Sequence, residues 1–139
     1  MHSKPLVSAL FVIAALYDGV LGIAFTLAPG YPFELFGVTP PNHFGYVQFP
    51  ALLLVVFALM FARIALDPAA NRSLIPYGML LKVSYCSTVF WYWATTGIPG
   101  MWKPFALADI VFLALFWMAW ASLAKAVPVY RDASAASRA

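Results

Sequence analysis

The sequence predicts an all-α integral membrane protein: a four-transmembrane-helix antiparallel bundle with a short outer amphipathic segment between helices 1 and 2. Two observations predict it. Apolar residues make up 64% of the 139 and charged residues only 9%, against roughly half and roughly a quarter in soluble domains. The apolar residues also come in continuous runs, such as Ala51 to Phe61 (ALLLVVFALMF) and Ile110 to Ala119 (IVFLALFWMA). A membrane barrel would show short alternating segments instead. A bilayer offers no water to peptide groups, so a spanning segment is a helix of about 20 mainly apolar residues or part of a closed barrel. The chain has room for four such helices, forming one domain over residues 1–125.

The first span covers about residues 6–27, with Pro5 suited to a first turn and Ala28-Pro29-Gly30 as a stop. The second covers about 47–66 and ends at Asp67-Pro68, because the proline disfavours helical geometry at Asp67. Asn71-Arg72-Ser73 supplies polar caps for the third, about 74–95, which stops at Thr96-Gly97-Ile98-Pro99-Gly100. The fourth covers about 104–123. Residues 126–139, rich in Ala and Ser, read as a disordered cytoplasmic tail. Short connections at 67–73 and 96–103 make neighbouring helices antiparallel. The longest connection, Tyr31 to Gly45 (YPFELFGVTPPNHFG), reads as an interfacial helix and a lid over the bundle mouth, with Glu34 or His43 at its edge. The dipeptides Pro29-Gly30 and Pro99-Gly100 each follow an odd-numbered span, a faint sign of a duplicated hairpin.

Orientation follows from the basic residues. Lys4, Arg63, Arg72, Lys125, Arg131 and Arg138 fall on the side of the N-terminus, and Lys103 alone on the other. This bias places both termini in the cytoplasm. A cleaved signal peptide is disfavoured, since Tyr17-Asp18-Gly19 follows the first apolar run without a small-residue cleavage site. A single cysteine, Cys86, excludes a disulfide framework. Two histidines, His2 and His43, both outside the spans, exclude paired-histidine haem. No metal-ligand spacing appears, and no basic run interleaved with aromatics points to nucleic acid.

Charges at bilayer depth are costly unless they face the interior and find partners, so each is a functional candidate. Asp18, Lys82 and Asp109 stand out. At 1.5 Å per residue, Asp18 lies about 18 Å and Lys82 about 12 Å from the cytoplasmic ends of their spans, a gap a lysine stem can bridge. Asp109, about 8 Å below the outer surface, is expected above an Asp18–Lys82 ion pair and too far from Lys82 for direct contact. There an acidic group near a helix N-terminus also has a purely structural explanation. Ala14, Asp18 and Gly22 share a face, as do Gly78, Lys82, Tyr85 and Cys86. Hydroxyls of Tyr17, Ser84, Ser87, Thr88 and Tyr92 are near enough to complete a polar network. The candidate ligand-binding residues are therefore Asp18, Lys82, Tyr85, Tyr92 and Asp109. Arg63 is expected to snorkel and pair with Asp67, and Trp91, Trp93, Trp102, Trp120 and Tyr130 read as interfacial aromatics.

Thr26 to Val38 (TLAPGYPFELFGV), Asp67 to Tyr85 (DPAANRSLIPYGMLLKVSY) and Phe105 to Phe112 (FALADIVF) give the chain a likeness in layout over most of residues 6–123. It resembles the small four-helix bacterial membrane proteins of the DoxX-like group. The resemblance implies a bacterial inner-membrane protein, and some relatives are associated with quinone-linked oxidoreductases. It carries over no catalytic residue. Four functions compete at this level. One is a protein embedded among membrane lipids that binds a quinone or lipid-like ligand, without acting as an independent enzyme, as accessory subunit to a membrane redox partner. The others are a proton-coupled transporter, an enzyme using Asp18 and Asp109 as acid and base, and an assembly protein whose buried charges only specify packing.

Overall fold

The computed structural model describes residues 3–125; the tail expected at 126–139 lies outside them. Every described element is helical: α1 (Ser3–Leu27), α2 (Tyr31–Leu35), α3 (Gly45–Leu66), α4 (Ile75–Ala94) and α5 (Lys103–Lys125), with short 3-10 turns at Arg72–Leu74 and Gly100–Trp102. Three segments are long and apolar enough to cross a membrane: Lys4–Leu27, Gly45–Leu66 and Gly100–Ala124. The helix α4 is the polar exception, carrying Lys82 and five hydroxyl side chains from Ser84 to Tyr92 in addition to Tyr77.

Local chemistry explains the ends. Pro76 occupies the first turn of α4, where its missing N–H has no intrahelical partner to lose. Gly37 (φ 61°) follows α2 and Gly97 (φ 86°) follows α4, both in the left-handed region that glycine enters without steric cost. Asn71 works on the preceding helix rather than the following one. Its side-chain amide donates to the carbonyls of Arg63 and Asp67, 3.2 and 2.9 Å away, at the end of α3, and its backbone N–H also donates to the Asp67 carbonyl at 3.1 Å. Asp67 Oδ1 accepts from the Ala70 N–H at 3.1 Å, so the carboxylate turns into its own loop and the expected Arg63–Asp67 pair does not form.

The helix α1 packs along α3, and α4 along α5, while α3 and α4 touch sparsely. The first pairing is close because Gly22 has no side chain: a Cβ there would lie 2.7 Å from the Ala51 carbonyl oxygen. All four long helices meet in one core around Phe11, Phe61, Ile75 and Phe116. Phe11 stacks on Phe116 with centroids 4.7 Å apart, and Phe61 tilts against both. Gly78 lets α4 settle over Phe61, where a Cβ would meet the ring at 2.6 Å. Beneath this core, Arg72 donates from Nε to the Trp120 carbonyl at 2.9 Å and lies over the Trp120 ring at 4.3 Å, fastening the α3–α4 connection to α5.

Candidate functional site

One level above the phenylalanine core, Asp18 of α1, Lys82 of α4 and Asp109 of α5 converge. They are 1%, 1% and 6% exposed. Lys82 Nζ donates to both oxygens of Asp18, at 2.9 and 3.0 Å, and stands 3.0 Å from Asp109 Oδ1. The Asp109 contact is an ion pair without hydrogen-bond alignment, so among the described residues Asp109 Oδ1 receives no hydrogen bond. The ammonium is walled by the rings of Tyr17, Phe61 and Phe112, with centroids 5.3 to 5.9 Å away.

The Asp18–Lys82 pair agrees with the sequence reading, and the Lys82–Asp109 contact corrects it. Counting residues from the outer end separates Asp109 from Lys82, whereas the structure brings Lys82 Nζ to 3.0 Å from its carboxylate. The turn at Gly100–Trp102 is folded inward: Met101 is buried, and the Tyr85 hydroxyl donates to the Trp102 carbonyl at 2.9 Å. Asp109 lies beyond the first turn of α5, which begins at Lys103, so the helix dipole has faded there and its environment is set by Lys82.

The two carboxylates form one end of an open cavity of about 790 Å³ between the helix pairs. That volume lies within the range of small-molecule sites, about 300–1,000 Å³. Its wall is largely apolar: Leu21 and Phe25 on α1, Pro50 and Leu54 on α3, Phe105 on α5. Pro50 has no N–H to continue the α3 ladder, which favours a local bend beside the cavity. Cover comes from the loop around α2. Phe33 is buried against Trp102, and Val38, Thr39 and Pro41 complete the wall. The lid expected from Tyr31 to Gly45 is thus present, although Glu34 and His43 are exposed and off the wall. His43 Nδ1 accepts from the Gly45 N–H at 2.9 Å, and Gln48 Nε2 donates to the Thr26 carbonyl at 3.1 Å. The cavity opens between α3 and α4, where Tyr46, Leu53, Ser84 and Thr88 are at once wall residues and exposed.

The anticipated hydroxyl network is not built. Ser84, Ser87 and Thr88 donate to carbonyls of their own helix at 2.8 to 3.0 Å. Tyr92 is 47% exposed and off the cavity wall, with its carbonyl accepting from Thr95 and Gly97. Of the five expected site residues, Asp18, Tyr85 and Asp109 reach the wall, Lys82 stands directly behind the carboxylates, and Tyr92 is not brought in. The Tyr17 hydroxyl is buried on this wall with no hydrogen-bond partner among the described residues. An apolar cavity ending at these polar residues is what the ligand-binding reading of the sequence expects, but the sequence reading names none of its apolar wall residues. The i, i+4 series Tyr17, Leu21, Phe25 beside Asp18 was its available signal.

Fold and site together define a class: an all-helical chain, with helices able to cross a membrane, that holds a buried charged triad at the end of an apolar cavity. Compared with family models, curated proteins and solved structures, the chain matches none.

Proposed function

We propose that this is a four-span inner-membrane protein of the DoxX-like type that binds a quinone or lipid-like amphiphile and serves as accessory subunit of a membrane redox system. The observation that carries the reading is the cavity of about 790 Å³, apolar along its length and ending on Asp18 and Asp109. An amphiphile has the matching pattern, an apolar body and one polar end.

The fourth crossing is α4. Its 20 residues rise about 30 Å, enough for the hydrocarbon core. Its one charge, Lys82, is neutralised inside the bundle, and its outward face carries Tyr77, Leu80, Val83 and Trp91 at 44% to 67% exposure. The six-to-one distribution of Lys and Arg supports cytoplasmic termini.

The test is extraction from native membranes followed by mass spectrometry of what co-purifies, comparing the wild type with Thr88→Trp. Thr88 is exposed at the cavity opening and its hydroxyl bonds only to its own helix, so a bulky side chain blocks entry without unpairing the triad. A quinone or lipid-like molecule that co-purifies with the wild type and is depleted in Thr88→Trp supports the reading. The same lipid profile from both proteins overturns it.

A further inference from the structure

Resting on that reading, we infer the chemistry of the ligand's polar end: a single ammonium, seated against Asp109 and the Asp18 side of the triad. The triad contains two carboxylates and one ammonium, a formal charge of −1 buried among apolar side chains. The three groups are not equally available. Lys82 lies on the core side, enclosed by Tyr17, Phe61 and Phe112, with two of its protons committed to Asp18. The carboxylates occupy the cavity wall, and Asp109 Oδ1, paired with Lys82 Nζ at 3.0 Å, receives no aligned hydrogen bond from any described residue.

The remaining polar wall groups point the same way. Ser84 and Thr88 donate their protons to backbone, leaving acceptor oxygens, and Tyr85 donates to Trp102. The Tyr17 hydroxyl is the one wall side chain with an uncommitted proton next to the triad. No Lys, Arg or His is among the wall residues. An anionic headgroup would meet carboxylates without a free cation. Beside the triad a quinone carbonyl, which only accepts, would find the Tyr17 hydroxyl alone, the other wall side chains with uncommitted donors being Thr39, Tyr46 and Trp102. An ammonium finds in Asp109 a carboxylate whose one cationic neighbour, Lys82, is shared with Asp18, a formal charge to neutralise, and the aromatic wall residues Tyr17, Phe25 and Trp102.

The experiment is a calorimetric titration of the whole chain in maltoside micelles with dodecylamine, dodecanol and dodecanoate, using protein-free micelles as the blank. The three share one tail and differ only in headgroup. Dodecylamine is expected to bind about ten-fold or more tighter than dodecanol, with dodecanoate weaker still. In Asp109→Asn the amine preference should disappear while dodecanol binding persists. The wild-type series stands alone if that variant fails to fold. Equal binding of amine and alcohol, as a protonated Asp109 would give, overturns the ammonium and leaves the amphiphile reading intact. No binding of any of the three overturns both. Adding phosphatidylethanolamine to the micelles separates two sources of the same chemistry: loss of dodecylamine binding identifies a bilayer lipid as the occupant, and unchanged binding identifies a free amine.

Discussion

Lys82 gives a hydrogen bond to each oxygen of Asp18, at 2.9 and 3.0 Å, across 64 positions of sequence. Because α1 packs mainly on α3 and α4 mainly on α5, this contact joins the two helix pairs at mid-height. Truncation of Lys82 to Met would leave two buried carboxylates facing each other, and the expected loss is about 3–5 kcal/mol. Adding Asp18→Leu should restore much of it, since the remaining carboxylate, Asp109, borders the cavity. Unfolding titrations of the single and double variants in mixed micelles check this; a double variant weaker than Lys82→Met would contradict it.

The glycines of α1 should differ in tolerance. At Gly22 a Cβ would lie 2.7 Å from a backbone carbonyl that cannot retreat, and 2.9 Å from Val55, so Gly22→Ala should cost about 1–3 kcal/mol. At Gly19 the nearest atom would be Ala58 Cβ at 3.4 Å, ordinary contact. There Gly19→Ala should be neutral or stabilising by up to about 1 kcal/mol, from helix propensity. Thermal denaturation of the two variants side by side reads the contrast.

Arg72 uses a planar guanidinium both to donate to the Trp120 carbonyl and to cover its ring. Lysine keeps the charge and loses the geometry. Arg72→Lys should therefore destabilise by about 1–2 kcal/mol, whereas an exposed cation such as Arg63 should accept the same exchange with little change. Melting temperatures of the pair test the difference.

Membrane orientation can be read with cysteine labelling, since the native Cys86 is buried and within 3.4 Å of the Ala106 carbonyl. In intact cells an impermeant maleimide should label Glu34→Cys, and should reach Ser73→Cys only after permeabilisation. The reverse pattern would invert the proposed topology.

The helix boundaries were legible because they depend on local chemistry. Expected spans at 6–27, 47–66, 74–95 and 104–123 correspond to helices Ser3–Leu27, Gly45–Leu66, Ile75–Ala94 and Lys103–Lys125. The Asp18–Lys82 pairing was legible because isolated charges in apolar helices must find each other. The contact to Asp109 was not, since it depends on how α4 and α5 are set against each other by tertiary bonds such as Tyr85 to Trp102. Tyr92 faces outward at 47% exposure, and Ser84, Ser87 and Thr88 were illegible for a local reason. A helical hydroxyl can satisfy itself on its own backbone, and nothing in its spacing distinguishes that from a bond across the bundle.

The unequal packing around the bundle has a mechanical consequence. With α1 fitted tightly to α3 at Gly22 and Ala51, and α3 touching α4 at few points, the molecule resembles a book whose spine is the aromatic stack of Phe11 and Phe116 and whose fore-edge is fastened only low down, where Gly78 lies on Phe61. Parting the covers separates α3 from α4 and leaves the spine intact. Above that fastening, the girth of guest that fits would be set by the spacing of two helices, more than by the volume of any one side chain along the wall.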